Sequence, residues 1–466
     1  MSITSKELEP TKKNILSSLI ENLLDRNKDV WYFARFCDAL EVSSSISINA
    51  KWGEGKTFFV KQVKMLLEAF NPFSNALDDG ERTTVFNAFS RYNTSSQQSV
   101  QFKPQVCVYY DSWINDNDID PIFSLMYEIT KSTACDYPFK KGKDCLATVG
   151  AIAEFITGRN ASNLAEMVKG EDFLEKIKEQ HEIHSMIEEF LDSLLAENGD
   201  RLIIFIDELD RCKPTYAVQL LERIKHYFTN DRITFVFSVN ISELQHTIKS
   251  CYGDGFDACR YLDRFFDFRI PLPPANMSKY YEKLGMYFQD RYIYSVCEAV
   301  INHYSFSLRE INKYYRIISI FLSDARKDGR SLGDAVGSEL FFSYSIIVPI
   351  AIGLHLSNIS LYEDFISGNN SQPLIDIISG GKIARRAYLT LFESANAFSD
   401  DPINTNTLQK EEEEEILNQA YNALFNDRTR FTSEPVRVGS CYFSQYTKIK
   451  TLKMISMLSS DANYDY

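Results

Sequence analysis

The sequence lacks paired cysteines. Its nine cysteines are scattered along the chain, and no two have the Cys-x-x-Cys spacing. An odd, scattered set does not form a disulfide framework, and it also lacks the spacing of a zinc site. We therefore expect reduced, buried thiols in a cytoplasmic protein.

Long apolar segments are also absent. The first thirteen residues have no apolar core, so we expect no secretory signal peptide. The run Leu146–Ile156 is too short for a bilayer, which requires about 20 residues. Leu340–Leu356 is longer but contains Pro349 and His355, and we interpret it as a buried helix pair, with a membrane-spanning segment as the alternative. The sequence thus predicts no membrane association.

Positive charge is scarce relative to negative charge. The net charge of −14 and the lack of a basic, aromatic-rich stretch argue against nucleic acid as a partner, although a local basic groove is not excluded. No Asn-Lys-x-Asp motif for reading guanine occurs. The 466 residues, 44% of them hydrophobic, predict a globular protein of two or three domains.

Residues 49–57, with the sequence NAKWGEGKT, have the pattern of a phosphate-binding loop. They follow a short apolar alternation typical of a strand and precede an amphipathic helix. Glycines let backbone N–H groups surround phosphates, while a lysine reaches the β- and γ-phosphates and a threonine ligates Mg²⁺. Ala50 replaces the usual first glycine, and Trp52 either packs on the sheet edge or lines the pocket. The candidate nucleotide contacts are Trp52, Gly53, Glu54, Gly55, Lys56, Thr57 and Phe58, with Thr57 also a metal ligand.

The segment Arg201–Cys212, RLIIFIDELDRC, supplies the second half of such a site. Its apolar run indicates a buried parallel strand that ends at Asp207 and Glu208. Asp207 is the candidate Mg²⁺ ligand, and Glu208 is the candidate base that polarises the attacking water. The alternative is that both carboxylates only cap the next helix. The two halves together predict a P-loop domain that binds, and hydrolyses, a nucleoside triphosphate.

Strands and helices alternate up to about Arg260, and helical periodicity dominates from Ser278 onward. This predicts an α/β P-loop NTPase fold, with a parallel sheet flanked by helices, over residues 1–274 and a mainly α-helical domain over residues 275–466. Within the first domain, residues 71–104 are polar and rich in turn residues, which predicts an exposed excursion, and residues 132–200 form a helical insert. A short strand at Cys441–Phe443 is the exception within the second domain.

Three further polar residues are candidates for catalysis. Asn240 ends the third core strand and either contacts the γ-phosphate or caps the next helix. Arg264 either offers its guanidinium to a γ-phosphate, in its own or a neighbouring subunit, or forms an ordinary Arg–Asp pair. Arg309 either senses phosphate charge or pairs with Glu310.

A histidine pair is the only candidate for a second metal site. His181 and His184 lie three residues apart and share a helix face as possible ligands. Without a third ligand in view, a solvated pair is the favoured interpretation.

Five short segments carry a family resemblance. They are Trp-Gly-x-Gly-Lys-Thr at 52–57, Tyr-Asp-Ser-Trp at 110–113, Asp-Glu-Leu-Asp-Arg-Cys at 207–212, Tyr-Leu-Asp-Arg-Phe-Phe at 261–266 and Ser-Leu-Arg-Glu-Ile at 307–311. Together they make the chain similar to the KAP-type P-loop NTPases, on the STAND/AAA+ side of the P-loop superfamily. The resemblance implies ATP and Mg²⁺ as cofactors, with Lys56 and Thr57 on the phosphates and metal and Asp207 on the metal.

Two departures from the family pattern bear on function. Family members often have two aspartates where this chain has Asp207 and Glu208, which is more similar to hydrolytic AAA+ ATPases. Many members also carry membrane helices after the second strand, where this chain has only Leu146–Ile156.

The sequence leaves two functions open. The first is an ATPase that acts as a molecular switch or motor and controls protein partners, and the resemblance to soluble bacterial relatives implies defence against bacteriophage. The second is a scaffold that binds ATP structurally and hydrolyses little. Glu208 favours the first, because a scaffold has no use for a base that polarises water. Assembly into a homo-oligomer and the identity of any effector remain open.

Overall fold

The computed structural model describes residues 9–93, 101–118, 120–137, 172–284, 291–325, 340, 342–380, 410–425, 436–438, 441–444 and five single positions from 446 to 455, with side chains omitted for residues 172–183 and a few others. The predicted run Leu146–Ile156 lies outside these residues. The chain divides into two compact units, Thr4–Lys279 and Tyr280–Tyr466.

A five-stranded parallel sheet organises the first unit. Its strands are β1 Ser44–Asn49, β2 Gln105–Asp111, β3 Arg201–Asp207, β4 Ile233–Val239 and β5 Phe268–Pro271. Their spatial order is β2-β3-β4-β1-β5, and every pairing is parallel. Strands β3 and β4 are buried along their whole length, as expected for strands covered on both faces. The predicted α/β fold class is confirmed.

Helices cover both faces of this sheet. They are α1 Lys12–Glu21, α2 Asn27–Asp38, α3 Lys56–Phe70, α4 Asp79–Asn93, α5 Pro121–Asp136, α6 Asp172–Asn198, α7 Pro214–Tyr227, α8 Ile241–Tyr252 and α9 Ala258–Leu262. One apolar cluster joins α1 to α4 with alternate strand residues such as Ile48 and Phe205. The other joins α5 to α9 with the intervening residues, such as Ile204 and Ile206. The period of two along each strand thus divides the core into two layers.

The prediction of an exposed polar excursion over residues 71–104 was wrong in its middle. Helix α4 occupies Asp79–Asn93, and Val85 and Phe89 on it are fully buried against α2 and α3. Only two or three apolar residues among polar neighbours supply the buried face of this helix, so composition alone concealed it. Residues 94–100 of this segment lie outside the described part.

The second unit is mainly helical where it is described. Its elements, with α10 beginning in the last residues of the first unit, are α10 Ser278–Lys283, α11 Arg291–Tyr304, α12 Leu308–Ala325, α13 Val348–Ser357, α14 Ile359–Ile366, α15 Gln372–Gly380, α16 Lys410–Phe425, β6 Val436–Val438 and β7 Cys441–Phe443. The last two form an antiparallel pair, which confirms the strand predicted at Cys441–Phe443.

The apolar segment near residue 350 is one helix rather than the predicted pair. A π-helical stretch, Ser343–Ile347, runs directly into α13. Pro349, which has no N–H to donate, lies in the first turn of α13, directly after the π-helical stretch. In the ranges that the structure describes, no helix has the length and apolarity needed to cross a membrane.

Candidate nucleotide-binding site

The loop between β1 and α3 has the backbone that its glycines predict. Gly53 and Gly55 have φ angles of 85° and 89°, in a region that residues with a Cβ seldom adopt. Gly55 is also the N-cap residue directly before α3, in the left-handed conformation. The N-terminus of a fifteen-residue helix therefore opens at the end of the loop, where unpaired N–H groups favour an anion.

The Lys56 ammonium is held inside this loop. It donates to the backbone carbonyls of Ala50 and Lys51 at 2.7 and 3.1 Å, and the residue is only 8% exposed. Burial lowers the pKa of Lys56, while the nearby carboxylates of Asp210, Asp207 and Glu208 act in the opposite direction. The structure thus brings the predicted loop cation into the field of the acidic segment at the end of β3.

Asp207 is the acidic residue on the same sheet face as α3. It lies at the last position of β3, beside Asp111 of β2 and Ser238 of β4, and is 1% exposed. Its Oδ2 accepts a hydrogen bond from the Tyr109 hydroxyl at 2.9 Å, and its Oδ1 accepts one from the Glu208 N–H at 3.0 Å. The carboxylate is therefore fixed in orientation before any ligand binds.

These residues fit a bound Mg²⁺. A carboxylate from Asp207 and a hydroxyl from Thr57 are the hard oxygen ligands that Mg²⁺ prefers, alongside phosphate oxygens. The buried Ser238 hydroxyl, beside Asp207 in the sheet, has no hydrogen-bond partner among the described residues. This unpaired hydroxyl oxygen lies at the level of Asp207 in the sheet and adds a further polar group at the place where the metal is expected.

Glu208 adopts a left-handed backbone conformation, with φ of 60°, at the turn after β3. Its carboxylate makes no capping hydrogen bond to the short 3₁₀ helix that follows, and α7 begins instead after Lys213. The carboxylate forms an ion pair with Arg211. Burial, assisted by the Asp207 charge, raises the pKa of Glu208 to about 7, although Arg211 opposes the shift. The geometry differs from the capping alternative and suits a group that accepts a proton near neutral pH.

Asp210 joins three loops at this edge of the sheet, and nothing in its local sequence indicates this role. It is 5% exposed and accepts hydrogen bonds from the Trp52 indole N–H and from the backbone N–H of Asn240. Burial raises the pKa of Asp210, and the nearby Lys56 lowers it. The indole of Trp52, in the phosphate-binding loop, is therefore tied to the turn after β3.

Arg211 lies between two tryptophans. Its guanidinium carbon is 5.5 Å from the ring centroid of Trp52 and 5.6 Å from that of Trp113, within the range of cation–π attraction. Both rings are about half exposed. The same Arg211 pairs with Glu208, so this side chain links the candidate base to the rim of the site.

The N-terminal region holds the loop from the other side. The Arg26 guanidinium, 5% exposed, donates to the backbone carbonyl of Glu54 at 2.9 Å. Burial lowers the pKa of Arg26, with the charge of Glu54 opposing this shift. Nothing in the local sequence marked Arg26, because its partner is a backbone carbonyl 28 positions away.

The candidate role of Asn240 as a helix cap is filled by another residue. Asn240 precedes α8 but makes no side-chain capping bond, and the Asn49 side chain of β1 accepts the N–H of Ile241 at 2.9 Å instead. The side chain of Asn240 thus remains available at the carboxyl edge of the sheet. Asn49 can cap this helix because β1 pairs with β4, and local sequence does not contain that pairing.

Arg264 is not brought to the site by any contact in the described part of the chain. Arg264 is exposed, and neither Asp263 nor Asp267 pairs with it, since Asp263 binds Arg269 and Asp267 accepts the N–H of Ser45. Arg309 lies at the start of α12 in the second unit. There Glu310 accepts hydrogen bonds from Ser307 as a capping box rather than pairing with Arg309.

The histidine pair gains no support as a metal site. His184 is within hydrogen-bonding distance of the Tyr227 carbonyl, and the side chain of His181 lies outside the described set. No group of three or more potential metal ligands occurs among the described residues.

Comparison with known proteins identifies a family. The model described as "KAP family P-loop domain" matches residues 32–323, which is more than half of the chain. An uncharacterized protein of Methanocaldococcus jannaschii is 44% identical over 59 residues. That match covers 13% of this chain and only 28% of the relative, so the chain spans about a quarter of the relative's length.

A solved structure is also similar over most of its length. The ORC2 protein of Aeropyrum pernix, in its ADPNP–ADP complexes, is 13% identical, and the alignment covers 91% of this chain and 95% of that one with a TM-score of 0.30. A similarity this low does not define the fold of this chain.

Proposed function

The chain belongs to the KAP family, whose P-loop domain it carries over residues 32–323, and we propose that it is a Mg²⁺-dependent ATPase. Membership of a P-loop family supports nucleotide binding. The observation that carries the step to hydrolysis is the position of Glu208. It follows the candidate metal ligand Asp207 directly, in the turn after β3, and both carboxylates act on the charge of Lys56.

In this proposal the loop residues bind the phosphates. Backbone N–H groups around Gly53 and Gly55 surround the β-phosphate, and the Lys56 ammonium exchanges its two carbonyl acceptors for phosphate oxygens. Thr57 and Asp207 would hold Mg²⁺, which supplies positive charge that stabilises the phosphates in the transition state. The tie between Trp52 and Asp210 keeps the loop against the end of β3.

Hydrolysis follows from the position of the base. Glu208 accepts a proton from water as the water oxygen bonds to the γ-phosphorus, and the bond from that phosphorus to the β–γ bridging oxygen breaks to release ADP. Asn240, with its side chain free of a capping role, orients the water or the γ-phosphate. Arg211 forms an ion pair with Glu208 at the rim of the site.

The biological role that fits such a site is a molecular switch or motor. ATP and ADP would stabilise different arrangements of the chain and so control a protein partner or effector. On the motif resemblance alone, this proposal extends to a cytoplasmic role in defence against bacteriophage. Homo-oligomer formation is part of this proposal, with Arg264 as the residue that one subunit would offer to its neighbour.

A binding and proteolysis experiment tests the proposed switch. We expect calorimetric titration with ATP and Mg²⁺ to give one site per chain, and limited proteolysis to give different cleavage patterns with ATP and with ADP. Binding without any difference between the two patterns would contradict the switch and leave a structural ATP scaffold. No binding at all would contradict the nucleotide site itself.

A further inference from the structure

Three side chains in contact connect α3 to the end of β3: Lys61 of α3, Tyr109 of β2 and Asp207 of β3. Strand β2 lies beside β3, with Tyr109 opposite Phe205 and Asp111 opposite Asp207. Tyr109 is thus two positions before the level of Asp207 and on the same sheet face, a diagonal separation that an aromatic side chain can span. Its hydroxyl donates to Asp207 Oδ2 at 2.9 Å.

In this bond the Tyr109 hydroxyl is the donor, because an ionised carboxylate can only accept. The other carboxylate oxygen of Asp207 accepts the Glu208 N–H at 3.0 Å. Each carboxylate oxygen has a second lone-pair direction, so these two bonds set the plane of the group and leave it able to bind a cation.

A partly buried cation supports Tyr109 from its other side. The Lys61 ammonium, on α3 one and a half turns after Lys56, lies 4.1 Å from the centroid of the Tyr109 ring. Burial lowers the pKa of Lys61, and the carboxylates of Asp207 and Asp111 oppose this. A positive charge against the ring strengthens the hydroxyl as a donor and keeps the ring in one orientation.

We propose that Tyr109 is a positioning residue for the divalent cation: its hydroxyl, with Lys61 stacked on its ring, fixes the Asp207 carboxylate in the orientation in which it binds Mg²⁺. This inference rests on the proposed nucleotide site. Groups that orient a metal ligand typically change metal affinity by about 10–100-fold when they are removed, because the ligand must otherwise be ordered as the metal binds.

The test compares Tyr109→Phe with Tyr110→Phe. Tyr110 is the next residue along β2 and is fully buried, whereas Tyr109 is partly buried; the Tyr110 hydroxyl is also bonded, but to Tyr216 on the opposite sheet face. ATP affinity is measured by calorimetry in EDTA and then over a series of Mg²⁺ concentrations. We expect Tyr109→Phe to bind ATP in EDTA as the wild type does but to need about 10-fold more Mg²⁺ for half of its metal-dependent gain in affinity.

The control and a second variant complete the test. Tyr110→Phe should keep the wild-type Mg²⁺ requirement, and Lys61→Met should raise it in the same direction as Tyr109→Phe but less. A wild-type Mg²⁺ requirement in Tyr109→Phe, or an equal shift in Tyr110→Phe, would overturn the inference while leaving ATP binding intact. Absence of ATP binding by the wild type would instead overturn the proposed function on which the inference depends.

Discussion

Lys56 has two sets of partners within reach. Its ammonium donates to the carbonyls of Ala50 and Lys51, and it faces the carboxylates of Asp210, Asp207 and Glu208. The neighbouring Lys51 has an exposed side chain and contributes to this arrangement only through its carbonyl. Two lysines in one loop thus differ in what their charges can do.

We predict that Lys56→Ala loses most ATP binding, because it removes the loop cation that faces the phosphates. The matched variant Lys51→Ala should retain most of it, since its backbone carbonyl is unchanged. Calorimetric titration of both purified variants measures the effect, and equal circular dichroism spectra check that both are folded. Undiminished ATP affinity in Lys56→Ala would contradict the assignment of the phosphate-binding loop.

The sequence identified several site residues but not their partners. The sequence left two environments possible for Trp52, because its hydrogen-bond partner Asp210 lies 158 positions further along the chain. Asn240 carried the local pattern of a helix cap, yet Asn49 on the adjacent strand supplies the cap. Spacing along a sequence reports on neighbours within one element, and these contacts depend on strand order, which no local pattern contains.

At the scale of elements, α4 shows where composition misleads. Its residues are mostly polar, but Phe89 is 1% exposed and stacks on Trp31 with ring centroids 6.0 Å apart. Phe86, three positions earlier on the same helix, is 39% exposed and contacts Phe70. Strands β2 to β4, by contrast, could be predicted from their apolar runs, because parallel strands are covered on both faces. Strand β1 could be predicted from the alternation Ile46-Ser47-Ile48.

We predict that Phe89→Ala destabilises the first unit by about 3–5 kcal/mol, the usual cost of truncating a buried phenylalanine. Phe86→Ala should cost about 1 kcal/mol, because much of that ring is already in water. Urea unfolding monitored by tryptophan fluorescence measures both, and Trp31 reports from the same cluster. Equal losses in the two variants would contradict the packing of α4 against α2 and α3.

At the scale of the whole molecule, Arg264 bears on assembly. Its guanidinium is exposed and has no ion pair with any described residue, while Asp263 and Asp267 bond to Arg269 and Ser45 instead. The pairs that would have given Arg264 a local role are therefore not formed. A free arginine after β4, α8 and α9 suits a group that completes the ATP site of an adjacent subunit.

We predict that Arg264→Ala binds ATP nearly normally yet loses hydrolysis. Mixing it with Glu208→Gln protein should restore part of the activity, because some interfaces then pair an intact Arg264 with an intact Glu208. Specific activity should also rise with protein concentration. A chain that stays monomeric with ATP by light scattering, at constant specific activity, would contradict the role across subunits.

The turnover of Glu208→Gln tests the central claim most directly. Because the amide keeps the size of the side chain but cannot accept the proton, ATP and Mg²⁺ should still bind in calorimetric titration. Phosphate release should fall by about 10²–10⁴-fold, the usual contribution of a positioned general base. Hydrolysis by the variant at the wild-type rate would contradict the account and make Asp210 the next candidate for the base.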